Sequence, residues 1–212
     1  MRGRNRPPQA PAGGVDVAAL PEVVLCVGKK RSGKSHLARV LAEQLILEGV
    51  AQRALYLDRT RQPQYDGPLL TSVADVVKYP TSPRWVFRWP CVAGDVCGFA
   101  MRLRERRPAE RLVVVIDEAT DSDVSTGNGR WASRGVEELF HRGRGIWIIT
   151  CTQRPAGIAT GISALTEGYF LFTVTHGNDL RRLLDDRLPE RVVNQLPYLP
   201  RFSYLRSSPG DD

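Results

Sequence analysis

Gly28-Lys29-Lys30-Arg31-Ser32-Gly33-Lys34-Ser35 reads G-x-x-x-x-G-K-S, a pattern whose residue types suit the cradling of phosphate oxygens. Gly28 and Gly33 remove Cβ atoms where successive backbone N–H groups must turn inward. Lys34 is placed to reach the β- and γ-phosphates, and the Ser35 hydroxyl to ligate Mg²⁺. The apolar run Val23–Val27 precedes this loop and a helix-patterned segment follows it. That is the strand, loop and helix context a P-loop needs, and the helix N-terminus adds a favourable dipole end. Residues 28–35 are therefore expected to bind a nucleoside triphosphate, ATP, with Mg²⁺.

Downstream groups extend this chemistry. Asp117 ends the run Leu112–Ile116 (LVVVI), where a second carboxylate could hold Mg²⁺ beside Ser35. Glu118 follows it, where a general base could polarise an attacking water. On its own an Asp-Glu pair after a strand is a charged turn; behind a P-loop, strand and carboxylates agree on a hydrolytic site. Gln153 ends a second apolar run and can both donate and accept, which suits holding a water against the γ-phosphate; an ordinary strand-end polar residue is the alternative. Arg142 and Arg144, just before that run, could stabilise γ-phosphate charge in a neighbouring subunit. They equally suit the cationic end of a helix, favoured by its dipole.

These residues need elements to position them. A strand is expected from about Glu22 to Val27. A helix over Lys34–Glu48 follows, with Leu37, Val40, Leu41 and Leu45 on one face and Gly49 as its stop. Arg53–Asp58 reads as a strand, Val73–Lys78 as a small helix and Arg84–Trp89 as an alternating strand. Asp95 is placed to cap a helix whose stripe is Val96, Phe99, Ala100 and Leu103. Its opposite face carries Arg102, Arg104, Arg106 and Arg107, either a solvated face or a DNA contact. Leu112–Ile116 lacks polar alternation, as does a strand buried on both faces of a parallel sheet. A loop over Thr120–Arg130, a helix over Trp131–Arg142 and strands over Gly145–Thr152 and Gly168–Thr175 come next. Asn178 is expected to cap a short helix, Leu188–Leu196 to form another, and Phe202–Leu205 a last strand. Alternating strands and helices predict a three-layer α/β/α sandwich around a mainly parallel sheet.

The 212 residues suit one domain with tails: a basic flexible arm over 1–20 with Arg2, Arg4 and Arg6, a domain over 21–206, and a polar tail over 207–212. A net charge of +7 leans towards a polyanionic partner. Cys26, Cys91, Cys97 and Cys151 form no C-x-x-C pair and suit a reducing cytoplasm. No apolar run is long enough to span a membrane, and no recognition helix or zinc module argues for base-specific reading.

Gly28–Ser35, then VVVIDE over Val113–Glu118, then the segment from Arg142-Gly-Arg-Gly-Ile146 through Thr152-Gln153-Arg154-Pro155 resemble the HerA/FtsK superfamily of DNA-pumping ATPases. Over residues 22–175 the resemblance implies an ASCE-type P-loop motor. It implies that Glu118 is the catalytic glutamate, Gln153 the strand-end glutamine and Arg142 the arginine finger, with Arg144 a second candidate. His176–Leu180 and Leu196–Leu205 look similar to the tails of small viral members that package genomes. FtsK-type membrane segments and winged helix, and the HerA-type barrel, have no counterpart here. The resemblance thus implies ATP-driven translocation of double-stranded DNA by a homo-oligomeric ring, hexamer or pentamer, with a capsid vertex protein as partner, in the host cytoplasm or on the virion. The pore-lining candidates are Ser122–Arg130 and the Arg102–Arg107 face. Alternatives are a small-molecule P-loop kinase, to which Glu118 and Gln153 are ill suited, an assembly ATPase of the Zot type, normally membrane-anchored, and an AAA+ helicase loader, for which a sensor arginine and a strand-end Asn, Ser or Thr are expected.

Overall fold

β-Branched and leucine-rich runs without polar breaks form the strands, and the helices between them cover both faces. The computed structural model describes residues 15–58, 65–126 and 129–211. In chain order the elements are β1 (Val23–Val27), α1 (Lys34–Leu47), β2 (Arg53–Leu57), β3 (Leu69–Leu70), β4 (Arg84–Phe87) and α2 (Ala93–Arg106). β5 (Leu112–Ile116), β6 (Ser125–Thr126), β7 (Arg130–Trp131), α3 (Arg134–Arg142), β8 (Ile146–Thr152) and α4 (Thr160–Leu165) follow. The chain ends with β9 (Gly168–Leu171), α5 (Gly177–Asp185), α6 (Glu190–Val193) and β10 (Leu205–Ser207).

The main sheet has the order β10-β9-β1-β8-β5-β2-β4-β3. All its pairings are parallel except β10 with β9. Every residue of β1, β5 and β8 is buried, as strands covered on both faces must be. Alternate residues feed two cores. Leu25, Val27, Val114 and Ile116 face the side covered by α2, α3, α4 and α5. Val24, Cys26, Val113 and Val115 face α1, which inserts Leu37, Ala38, Leu41, Ala42 and Leu45. The expected three-layer sandwich is what the chain forms.

Several local expectations shift. Val40 is only half buried, and Ala38 and Ala42 complete the α1 face instead. Val92, not Asp95, occupies the N-cap of α2. The cap is non-local: Asp123, beyond β5, accepts the N–H of Ala93 (2.6 Å). The helix expected from Trp131 begins at Arg134, because Ser133 caps it by accepting from Val136 N–H (3.3 Å) and Trp131 belongs to the β6–β7 hairpin. Residues 127 and 128 of that loop lie outside the described residues. His176 rather than Asn178 occupies the cap of α5, and Leu188–Leu196 holds only the single turn of α6. The last strand begins at Leu205, not Phe202, and Ser207, assigned above to the tail, pairs with Tyr169.

At the N-terminus, Arg2, Arg4 and Arg6 lie outside the described residues. Val17 and Leu20, assigned to the arm, are buried against the α1 side of the sheet, and Trp147 Nε1–H donates to the Leu20 carbonyl (3.4 Å). Among the described residues, no helix is long and apolar enough to cross a membrane. All four cysteines are free and buried.

Candidate active site

The strand order decides what meets what. β8 lies between β1 and β5 and is parallel to both. The C-terminal ends of three neighbouring strands therefore deliver the P-loop, Gln153 and the Asp117-Glu118 pair to one edge, where open α/β sheets bind ligands.

Residues 28–33 leave β1 as an irregular loop. Gly28 and Lys29 donate their N–H groups to the carbonyls of Thr152 (3.2 Å) and Thr173 (2.9 Å), which fixes the loop's entry. A Cβ on Gly28 would stand 2.5 Å from Phe172 Cβ. Gly33, the N-cap of α1, has φ +110°, a left-handed conformation costly for any other residue. Arg31 also has positive φ, 62°. The Ser32 hydroxyl is buried without a hydrogen-bond partner. Such a group costs about 1–3 kcal/mol unless a ligand satisfies it, and a phosphate oxygen would do so.

Lys34 is buried, and its Nζ donates to the Lys29 carbonyl (3.0 Å). Burial lowers its pKa, and the nearby Cys151, Glu118, Cys26 and Asp117 only partly oppose that. Lys34 is thus electrostatically in touch with both carboxylates of the Asp-Glu pair. Asp117 is buried at the end of β5. The hydroxyl of Ser35, the carboxylate of Asp117 and a bound phosphate are a hard-oxygen donor set that suits Mg²⁺, so the residues fit that ion. Among the described residues there is no cluster of three or more His, Cys, Asp or Glu side chains to hold a metal without a phosphate.

Glu118 is held from two sides. Gln153 Nε2–H donates to its Oε2 (3.0 Å), and the Thr120 hydroxyl donates to its Oε1 (2.6 Å). The glutamine and glutamate singled out in the sequence are therefore direct partners. The sequence reading missed Thr120, although a hydroxyl two residues after a carboxylate is a recognisable local donor. It also missed Tyr65, which stacks on Tyr56 with ring centroids 4.7 Å apart. Burial first, and then the charge of Asp117, push the Tyr65 phenol well above its ordinary range.

Arg142 and Arg144 are not brought to this edge. They are exposed and precede β8 at its N-terminal end. Seven residues of extended strand, roughly 20 Å at about 3.3 Å each, separate that end from Gln153. The basic face of α2 is exposed at Arg102, Arg106 and Arg107 and half-buried at Arg104. The Arg104 guanidinium packs over Gly145 and donates to the Pro108 carbonyl, and Arg107 pairs with Glu110 (3.1 Å). In the T-Q-R-P segment, Arg154 pairs with buried Asp179 of α5 (2.8 Å), tying that helix to the end of β8.

No protein-family model and no curated protein matches the chain. Solved structures do. The genome packaging NTPase B204 from Sulfolobus turreted icosahedral virus 2, in complex with ATP-gammaS, superposes with a TM-score of 0.69 at 19% identity, over 89% of this chain and 92% of that one. The bacterial conjugative coupling protein TrwBdeltaN70 gives 0.65 at 12% identity, over 92% and 83%. VirB4 of Thermoanaerobacter pseudethanolicus gives 0.65 at 13% identity, over 93% and 91%. The chain has the α/β fold of P-loop NTPases. At the level of fold, the expected likeness to HerA/FtsK-type ATPases is met.

Proposed function

We propose that this chain hydrolyses ATP and uses the cycle to move double-stranded DNA, as a genome-packaging motor working in a homo-oligomeric ring. The observation that carries the hydrolytic part is the Gln153–Glu118 hydrogen bond at the edge where Lys34 and Asp117 also lie. A kinase takes its acceptor into the site; here the group beside the phosphate loop is a glutamate oriented by two donors, suited to activating water.

In this reading the loop from Gly28 to Gly33 and the Lys34 ammonium hold the β- and γ-phosphates. Ser35 and Asp117 would hold Mg²⁺, which would offset charge on the phosphate oxygens. Glu118 takes a proton from the attacking water. Gln153 keeps that carboxylate aimed, and Thr120 fixes its other oxygen. Arg142 or Arg144, on the opposite edge of the sheet, serves the site of the next subunit. The DNA-moving part is supported by the fold shared with B204 and TrwBdeltaN70, whose own names state genome packaging and conjugative coupling, and by the net charge of +7. A capsid vertex as docking partner, and residence in the host cytoplasm or on the virion, follow from the packaging role.

Phosphate release measured without any acceptor, with and without double-stranded DNA, tests the proposal. Turnover that DNA raises and added salt suppresses is expected. Transfer only to a small-molecule acceptor, with no free phosphate, would replace the motor by a kinase.

A further inference from the structure

The chemistry at the sheet edge lies on one flank of β1, towards β8 and β5, so a bound triphosphate with its γ-end there must direct its nucleoside to the other flank. That flank belongs to β9 and to the chain returning into β10. A cavity of about 350 Å³ opens there, bounded by the loop residues Lys30–His36 and by Arg201 and Phe202. The Phe202 Cδ1 atom would stand 3.5 Å from a Cβ placed on Gly33, so the ring lies directly against the phosphate loop.

Phe202 is unusual in two respects. It has φ +67°, rare for a bulky L-residue, and the residue stays 43% exposed. Folding alone favours neither. The surrounding chain nevertheless holds it in place. The Thr173 hydroxyl donates to the Leu199 carbonyl (3.2 Å), and Ser203 N–H donates to the Pro200 carbonyl (3.1 Å). Tyr204 packs on Phe170 and Phe172, with centroids 5.4 and 5.6 Å apart. The Arg201 guanidinium lies 4.6 Å from the centre of the Phe202 ring. A guanidinium over one face of an aromatic ring leaves the ring's other face for a nucleobase to stack on.

We infer that Arg201 and Phe202 form the base subsite of the nucleotide pocket, with the nucleobase stacking on this pair while the triphosphate occupies the P-loop. The subsite rests on the nucleotide-binding reading. It assigns a binding role to the turn before β10, a segment that the phosphate chemistry leaves unused.

Calorimetric titration of wild type, Phe202→Ala and Phe202→Tyr with Mg-ATP, and in parallel with inorganic tripolyphosphate, tests it. Stacking predicts that Phe202→Ala weakens ATP binding about 10- to 100-fold and leaves tripolyphosphate unchanged, while Phe202→Tyr, which keeps a ring, restores ATP binding. ATP binding unaffected by Phe202→Ala, or ATP and tripolyphosphate weakened alike, would overturn the subsite and leave the phosphate site standing. Wild-type protein that binds neither ligand would remove the nucleotide reading and the subsite with it.

Discussion

At the residue scale, the P-loop combines groups that make little sense without a ligand. The Lys34 ammonium is buried with a backbone carbonyl as its hydrogen-bond partner, and the Ser32 hydroxyl is buried without one. Phosphate would satisfy both. Because burial depresses the Lys34 pKa, its charged form costs stability below that pKa, and this cost disappears as pH rises through it. Phosphate raises the pKa again, so nucleotide binding weakens as pH rises through the lowered Lys34 pKa. Gly28 makes a sharper prediction. A methyl group there would stand 2.5 Å from Phe172 Cβ, an atom fixed to the backbone rather than the end of a flexible side chain. Gly28→Ala is expected to lower stability by about 1–3 kcal/mol and to weaken nucleotide binding, read by denaturant unfolding and calorimetry. Unchanged unfolding would mean that the loop can move away from β9. The loop itself was legible from eight adjacent residues, and so were Glu118 and Gln153, because each ends an apolar strand. Phe202 was not legible. It reached the site through the turn before β10, and the sequence around it reads more simply as a strand.

At the element scale, α1 must keep its N-terminus aimed at the phosphates. A polar network fastens it to the sheet. Glu43 accepts hydrogen bonds from Arg84 of β4 (Nε–H, 2.8 Å) and from the Tyr56 hydroxyl of β2 (2.8 Å). Burial pushes the Glu43 pKa up, but the hydrogen bonds from Arg84 and Tyr56 outweigh it, and the net shift is downward. A carboxylate with a depressed folded-state pKa stabilises the fold above its unfolded pKa, near 4.5, and loses that contribution as pH falls through the folded value. Glu43→Gln is expected to cost about 1–3 kcal/mol at neutral pH and to flatten the acid limb of the stability profile. An acid limb unchanged by the substitution would show that other carboxylates set it. Local patterns located most elements, and failed where a partner far along the chain decides the boundary. The cap of α2 comes from Asp123, so scanning for a nearby Asp placed it at Asp95. Ser133 does carry a local cap signature, and it outranks the apolar pattern that would extend α3 back to Trp131.

At the scale of the whole molecule, Arg142 and Arg144 are site candidates that the chain's own sheet edge does not use. They lie on the sheet edge opposite Glu118, and both are exposed. If they complete a neighbour's site, two inactive variants should rescue each other. Glu118→Gln lacks the base, and the double variant Arg142→Ala, Arg144→Ala lacks the finger. A mixture would contain interfaces that have both, and is expected to regain a measurable share of DNA-stimulated turnover, each variant alone being reduced about 10²-fold or more. Failure to complement would confine the active site to one subunit. The DNA surface narrows too. Arg104 donates to the Pro108 carbonyl and the exposed Arg107 pairs with Glu110, so charge reversal at Arg102 and Arg106 disturbs fewer contacts of the fold, and a shallower salt dependence of DNA stimulation is expected.

Glu118 as general base would turn a phosphate-binding fold into a hydrolase. Single-turnover phosphate release, measured beside ATP binding for wild type and Glu118→Gln, tests it most directly. Glu118→Gln is expected to keep its affinity for ATP within a few-fold and to slow phosphate release by about 10²–10⁴. Phosphate release at the wild-type rate in Glu118→Gln would contradict it.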